Sequence, residues 1–136
     1  MHDILLVGGG LGGLATALAL GQSGVDTQLF EQSPAFKEVG AGIGLGPNAL
    51  RRLQGWGVWE ALQAKGFVPS QLEVMDAKTG QQLGCLPMAK AFEQRYGAPY
   101  LTIHRADLHQ VLSDAVEARG LSVLHLGHRL QDAKAD

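Results

Sequence analysis

The chain opens on Ile4-Leu5-Leu6-Val7, an apolar run that closes on glycine and predicts a strand buried on both faces of a parallel sheet. Helical spacing follows. Leu14, Leu18 and small alanines share a face over a segment running to about Ser23, and Gly24 stops it. Val25 to Phe30 alternates and predicts a second strand ending at Glu31. Ser33-Pro34 breaks the pattern, and Ala35 to Gly46 has no usable period, which predicts a long loop. Pro47 suits the first position of a helix on which Leu50, Leu53 and Trp56 share a face, and Val58 to Lys65 adds further helical turns before Gly66. Gln71 to Met75 alternates, Asp76 to Gly80 offers turn chemistry, and Gln81 to Leu86 resumes, so an antiparallel hairpin is expected, ended by Pro87. A short helix over Ala89 to Arg95 and a turn over Tyr96 to Pro99 lead to an apolar stretch, Tyr100 to Ile103. Arg105 to Arg119 predicts a strong helix burying Leu108, Val111, Leu112, Ala115 and Val116, with Gly120 as its stop. Leu121 to Leu126 predicts a strand returning beside the first through a right-handed crossover, and Gly127 to Asp136 begins a further element, a strand through Leu130.

The first strand, helix and second strand enclose a candidate phosphate site. Gly8, Gly10 and Gly13 fill the three glycine positions of G-x-G-x-x-G. The first turns the chain, the second lets backbone approach a pyrophosphate, and the third lets helix pack on strand. The helix that follows aims free N–H groups and its positive dipole end at the phosphates. Glu31 lies 18 positions after Gly13, where a carboxylate accepts hydrogen bonds from ribose hydroxyls and repels a 2′-phosphate, favouring FAD or NAD over NADP. A lone glycine fingerprint is weak evidence. Strand, turn, helix, second strand and terminal acid in order within 31 residues make dinucleotide binding the better reading than a structural turn.

Composition narrows the class. With 46% hydrophobic and 18% charged residues the chain reads as globular, and no stretch is long enough to span a bilayer. A net charge of −2 with scattered Lys and Arg gives no footprint for nucleic acid. No signal peptide is apparent, and a cytoplasmic protein is the default. The single Cys85 excludes an intramolecular disulfide and reads as a small apolar filler. Nine of the 19 glycines fall in two clusters, Gly8 to Gly13 and Gly40 to Gly46, which suggests two places where backbone approaches something closely.

Other constellations carry less. His104 with His109, and His125 with His128, lack a carboxylate or thiolate at ligand spacing, so they read as ordinary polar or half-buried histidines and no metal is expected. The glycine turn holds no serine for a hydrolase elbow. Trp56 and Trp59 read as core, and of the adjacent Arg51 and Arg52 at least one is expected to be solvated.

Three blocks go further: the glycine fingerprint with Phe30-Glu31-Gln32, the loop from Glu38 to Ala49, and His104-Arg105-Ala106-Asp107-Leu108. On these the chain resembles the single-component FAD-dependent aromatic hydroxylases (group A flavoprotein monooxygenases). Arg95 to Tyr100 and Asp76 to Gly80 look most like the 3-hydroxybenzoate 6-hydroxylases, with salicylate and 6-hydroxynicotinate hydroxylases close behind. Where the 6-hydroxynicotinate enzymes carry a histidine that serves the substrate ring, this chain has Gly44, which argues against that substrate.

The resemblance implies an α/β fold: a Rossmann-like βαβ FAD-binding domain, its parallel sheet flanked by helices, with an antiparallel hairpin excursion over 67–101 toward a substrate domain. It implies FAD contacts at Gly8, Gly10, Leu11, Gly12 and Gly13, at Glu31 and Gln32, at Gly42 near the flavin ring, at Arg105, and at the backbone of Leu130 on the adenine side. Asp107 would cap the helix beneath Arg105. Such enzymes reduce FAD with NADH or NADPH and use dioxygen to hydroxylate a small phenolic aromatic acid. Residues 1–136 are then the N-terminal part of an incomplete FAD-binding domain, inactive alone, with no catalytic residue in the chain and a seam open to self-association. The alternatives are a non-catalytic dinucleotide-binding module and an NAD-dependent dehydrogenase fragment, neither of which accounts for the Gly40 to Gly46 loop.

Overall fold

The computed structural model describes residues 4–36, 40–120 and 122–134. Lys37, Glu38 and Val39 of the glycine loop, and Leu121 of the last expected strand, lie outside the described residues. The chain divides into two compact units, one formed by 1–40 with 105–136 and the other by 41–104. The hairpin expected over 67–101 lies within the second.

The first unit is built on three parallel strands, β1 (Ile4–Val7), β2 (Thr27–Phe30) and β7 (Ser122–His125), with β2 in the middle. Helices α1 (Leu11–Gln22) and α5 (Arg105–Ala118) pack on each other and on the sheet. The alternation decides which face they cover. Thr27 and Leu29 are buried, whereas Leu5 (59% exposed), Val7 (58%) and Val123 (58%) share the opposite, open face. This corrects two expectations. β1 is not buried on both faces, because it is the end strand of the three and helices cover only one side. β7 lies beside β2 rather than beside β1, in register Thr27↔Ser122 through Phe30↔His125. The core is the spacing read from sequence: Leu14, Ala17 and Leu18 of α1 against Leu108, Val111, Leu112 and Val116 of α5. Residues 126–134 turn at Leu126-Gly127 and continue without regular structure, so the strand expected through Leu130 does not form.

The second unit holds β3 (Gly42–Leu45), α2 (Pro47–Gly55), α3 (Trp59–Lys65), β4 (Gln71–Met75), β5 (Gln82–Pro87), α4 (Lys90–Tyr96) and β6 (Leu101–His104). Pro47 opens α2 as expected, and Leu50 and Leu53 are its buried face. The β4–β5 hairpin is antiparallel, with a bulge between Val74 and Met75. Its turn is closed by Asp76, whose Oδ1 accepts N–H bonds from Lys78 (3.0 Å) and Thr79 (2.7 Å). Those donors hold the Asp76 carboxyl below its ordinary pKa. Cys85 is exposed on β5, not the buried filler expected, and Trp56 and Trp59 are half-buried.

The expected structureless loop is in part a strand. β3 pairs antiparallel with β6, Gly42 opposite His104 and Gly44 opposite Thr102. Period-2 patterning is invisible in β3 because two of its four residues are glycine. The partner supplies it, since Leu101 and Ile103 of β6 are buried alternately. Tyr100 explains one of the glycines: a side chain at Gly44 would overlap the Tyr100 hydroxyl, with the ring Cζ only 2.7 Å from the added carbon. Gly44→Ala is therefore expected to cost about 1 to 2 kcal/mol by overpacking. Thermal melts of Gly44→Ala with and without Tyr100→Ala check this, the double variant recovering part of the loss.

Candidate functional site

The glycine turn joins β1 to α1 in the first unit. Gly8 has φ +100°, a conformation that L side chains rarely adopt, and its N–H donates to the Phe30 carbonyl at 2.8 Å, tying the ends of β1 and β2 together. Gly13 is fixed by packing. A Cβ there would overlap the Gly8 carbonyl oxygen and lie 3.4 Å from Leu29 Cδ1, so α1 can lie on the sheet only if this residue has no side chain. Gly10 differs from both. Its φ of −74° and ψ of −176° suit any residue, and a Cβ there would meet nothing within 4 Å. Nothing in the described fold requires glycine at position 10.

Gly10 is also the N-cap of α1, and it brings no capping side chain; the first turn holds no acidic residue. Leu11, Gly12 and Gly13 thus begin a 12-residue helix whose N-terminal N–H groups are served by no side-chain cap. An anion completes such an end.

Glu31 stands at the end of β2 and faces the turn. Its Oε2 accepts the Gly9 N–H at 2.7 Å and its Oε1 accepts the Ser33 N–H at 2.8 Å. The Ser33 side chain and the Gln32 backbone add further donors to the same carboxylate. The Ser33 and Gly9 donors hold the carboxyl below its ordinary value of 4.5. Because the folded pKa is lowered, this contribution to stability is full above the unfolded value and is lost as pH falls through the folded one. The stability gap between wild type and Glu31→Gln should therefore be constant near neutrality and close in acid, which melts at a series of pH values will read. A gap unchanged into strong acid would contradict it.

Gln32 follows Glu31 and lines a recess with Gly8, Glu31, His128 and Leu130. Four of the expected contact residues thus meet at the carboxyl ends of β1 and β2, although Leu130 arrives on irregular chain rather than on a strand. Arg105 opens α5, exposed, in the same unit, and its side chain lies against Gly40, where an added Cβ would be 2.9 Å from Arg105 Cβ. Asp107 lies in the first turn of α5. Gly42 belongs to the second unit, on β3. Arg51, also in the second unit, donates to the Tyr96 carbonyl at 2.8 Å.

The sequence reading missed His109. It is 3% exposed, not half-buried, and its Nε2 lies 2.7 Å from the Gly9 carbonyl oxygen, with Phe36 edge-on to its ring at 4.7 Å. The available signal was a polar residue at a core spacing, one position after Leu108 and two before Val111. Among the described residues no group of three or more His, Cys, Asp or Glu could hold a metal, and no helix is long and apolar enough to cross a membrane.

The family model described as "FAD binding domain" matches residues 1–136. The 3-hydroxybenzoate 6-hydroxylase of Polaromonas naphthalenivorans (strain CJ2) is 40% identical over 117 residues, covering 86% of this chain and 29% of that protein. The 6-hydroxynicotinate 3-monooxygenase of Bordetella bronchiseptica (strain ATCC BAA-588 / NCTC 13252 / RB50) is 37% identical over 115 residues, covering 85% and 30%. The chain thus spans about 30% of the length of these curated relatives. Among solved structures, 2-methyl-3-hydroxypyridine-5-carboxylic acid oxygenase superposes with a TM-score of 0.79 at 28% identity, covering 93% of this chain and 32% of that one.

Proposed function

The chain belongs to the family of FAD binding domains, and from that premise we propose that its glycine turn holds the pyrophosphate of FAD. The observation that carries this is Gly10, a glycine that its own conformation and surroundings do not require, at the uncapped start of α1. In this reading Gly8 turns the chain, Gly10 admits the pyrophosphate, and Leu11, Gly12 and Gly13 direct N–H groups at its oxygens. Glu31 accepts a ribose hydroxyl at the carboxylate that Gly9 and Ser33 hold in place. Gln32 and the backbone of Leu130 border the adenine side, Arg105 adds fixed donors for phosphate or ribose oxygens, and Gly42 leaves room beside the flavin ring.

In a protein of the relatives' length, these residues form the N-terminal part of the FAD-binding domain of a monooxygenase, with 67–101 reaching toward a substrate domain. FAD, when bound there, supplies the redox chemistry: electrons from NADH or NADPH and activation of dioxygen. The substrate class is a small phenolic aromatic acid of the 3-hydroxybenzoate or salicylate type. Support for the first comes from the 40% identical 3-hydroxybenzoate 6-hydroxylase. This chain's own residues bind and orient the cofactor and carry no catalytic group.

Titration of the chain with FAD, NAD and NADP, followed by quenching of flavin fluorescence and by calorimetry, tests the reading. FAD is expected to bind and NADP to be rejected. Binding of NAD without FAD would overturn the assignment in favour of a dehydrogenase fragment. NADH oxidation dependent on 3-hydroxybenzoate is not expected from these 136 residues; its appearance would refute the division of labour proposed here.

A further inference from the structure

We propose that His109 is a positioning residue for the cofactor: it locks the Gly9–Gly10 peptide so that its N–H, and not its carbonyl, faces the phosphate. The inference rests on the reading of the glycine turn as the pyrophosphate site. It starts from a weakness of that turn. A peptide between two glycines can rotate as a unit, because the flip moves Gly9 in ψ and carries Gly10 from φ −74° to positive φ, which glycine alone tolerates freely. The glycine that admits the ligand therefore also admits a wrong peptide orientation. In that orientation a carbonyl oxygen would point at the phosphate and repel it.

One contact opposes the flip directly, and two more hold Gly9 in place around it. A carbonyl only accepts, so the 2.7 Å approach of His109 Nε2 to the Gly9 oxygen makes Nε2–H the donor. Since a trans peptide is planar with its C=O and N–H opposed, holding the Gly9 oxygen toward α5 turns the Gly10 N–H away from α5. The Gly9 N–H, on the preceding peptide, is held by Glu31 Oε2 at 2.7 Å. Phe36 closes the third side: its Cε1 would lie 2.5 Å from a Cβ at Gly9, and its edge rests on the imidazole. The clamp reaches across 100 residues of sequence and is buried, so water does not replace it readily.

The test uses the whole chain and three variants. His109→Leu removes the donor; His109→Gln places an amide N–H near the same point; Val116→Ala weakens the same helix face, at a fully buried residue, without touching the turn. Each is measured for melting temperature, for FAD affinity, and for the Gly10 amide signal in ligand-free 15N–1H spectra. His109→Leu is expected to bind FAD about tenfold more weakly, the effect of leaving one buried acceptor unpaired. Its Gly10 amide should shift or broaden. His109→Gln should recover most of both. Val116→Ala should lose melting temperature while keeping affinity and the Gly10 signal. If His109→Leu loses no more affinity than Val116→Ala and leaves the Gly10 amide in place, His109 is core and the proposal fails. If wild type binds no FAD, the phosphate reading fails, and the Gly10 amide still decides whether His109 locks the peptide.

Discussion

Gly13→Ala is expected to lower the stability of the ligand-free chain by about 2 to 3 kcal/mol, a drop of about 10 °C in melting temperature. Two effects compete. Replacing glycine by alanine inside a helix normally gains about 0.5 to 1 kcal/mol. Here the added carbon would overlap the Gly8 carbonyl oxygen and lie 3.1 Å from the Gly8 carbonyl carbon. That obstacle is backbone, anchored by the Gly8 to Phe30 hydrogen bond, so no rotamer change relieves it. The helix must lift from the sheet, and the clash outweighs the propensity. Gly12→Ala is the internal control, because an added Cβ at Gly12 meets nothing within 4 Å and the propensity gain should appear alone. Melts of the two variants side by side check the pair; equal stability would contradict the packing role of Gly13.

Gly10→Ala should do the opposite: leave the ligand-free chain nearly unchanged and weaken FAD binding about 100-fold. Its backbone angles are open to an L residue and its surroundings are empty. Alanine gains about 0.4 to 1 kcal/mol by restricting the unfolded chain, and loses a comparable few tenths to 1 kcal/mol as a poorer N-cap than glycine. The net lies within about 0.5 kcal/mol. The methyl group stands where the pyrophosphate is proposed to approach, and a 100-fold loss corresponds to about 2.7 kcal/mol of displaced contact.

Two glycines three residues apart are thus expected to separate folding from binding.

Local signals were legible wherever chemistry is local. The β1–α1–β2 order, the Pro47 start of α2, the Asp76 turn and the buried stripe of α5 all follow from residues within one turn or one hairpin of each other. What sequence could not supply is tertiary. The place of β7 beside β2 depends on sheet order, which no single strand encodes. β3 was hidden because glycines erase its alternation, and it forms only because β6 and Tyr100 fill what glycine leaves. The exposure of β1 reflects which face the helices cover, and a Leu-Leu-Val run reads the same on either side of a sheet. In the site, the acid at the end of β2 was legible, but its engagement by Gly9 and Ser33 was not. His109 was least legible of all, since its role is set by a contact 100 positions away.

The most direct test of the central claim is an equilibrium titration of FAD into the wild-type chain and into Gly10→Ala, followed by flavin absorption and fluorescence, with melts of both ligand-free proteins alongside. The account predicts bound-flavin bands for the wild type, about 100-fold weaker binding for Gly10→Ala, and closely similar melting temperatures. Equal FAD affinity in the two proteins, or a variant that fails to bind only because it has unfolded, would contradict it.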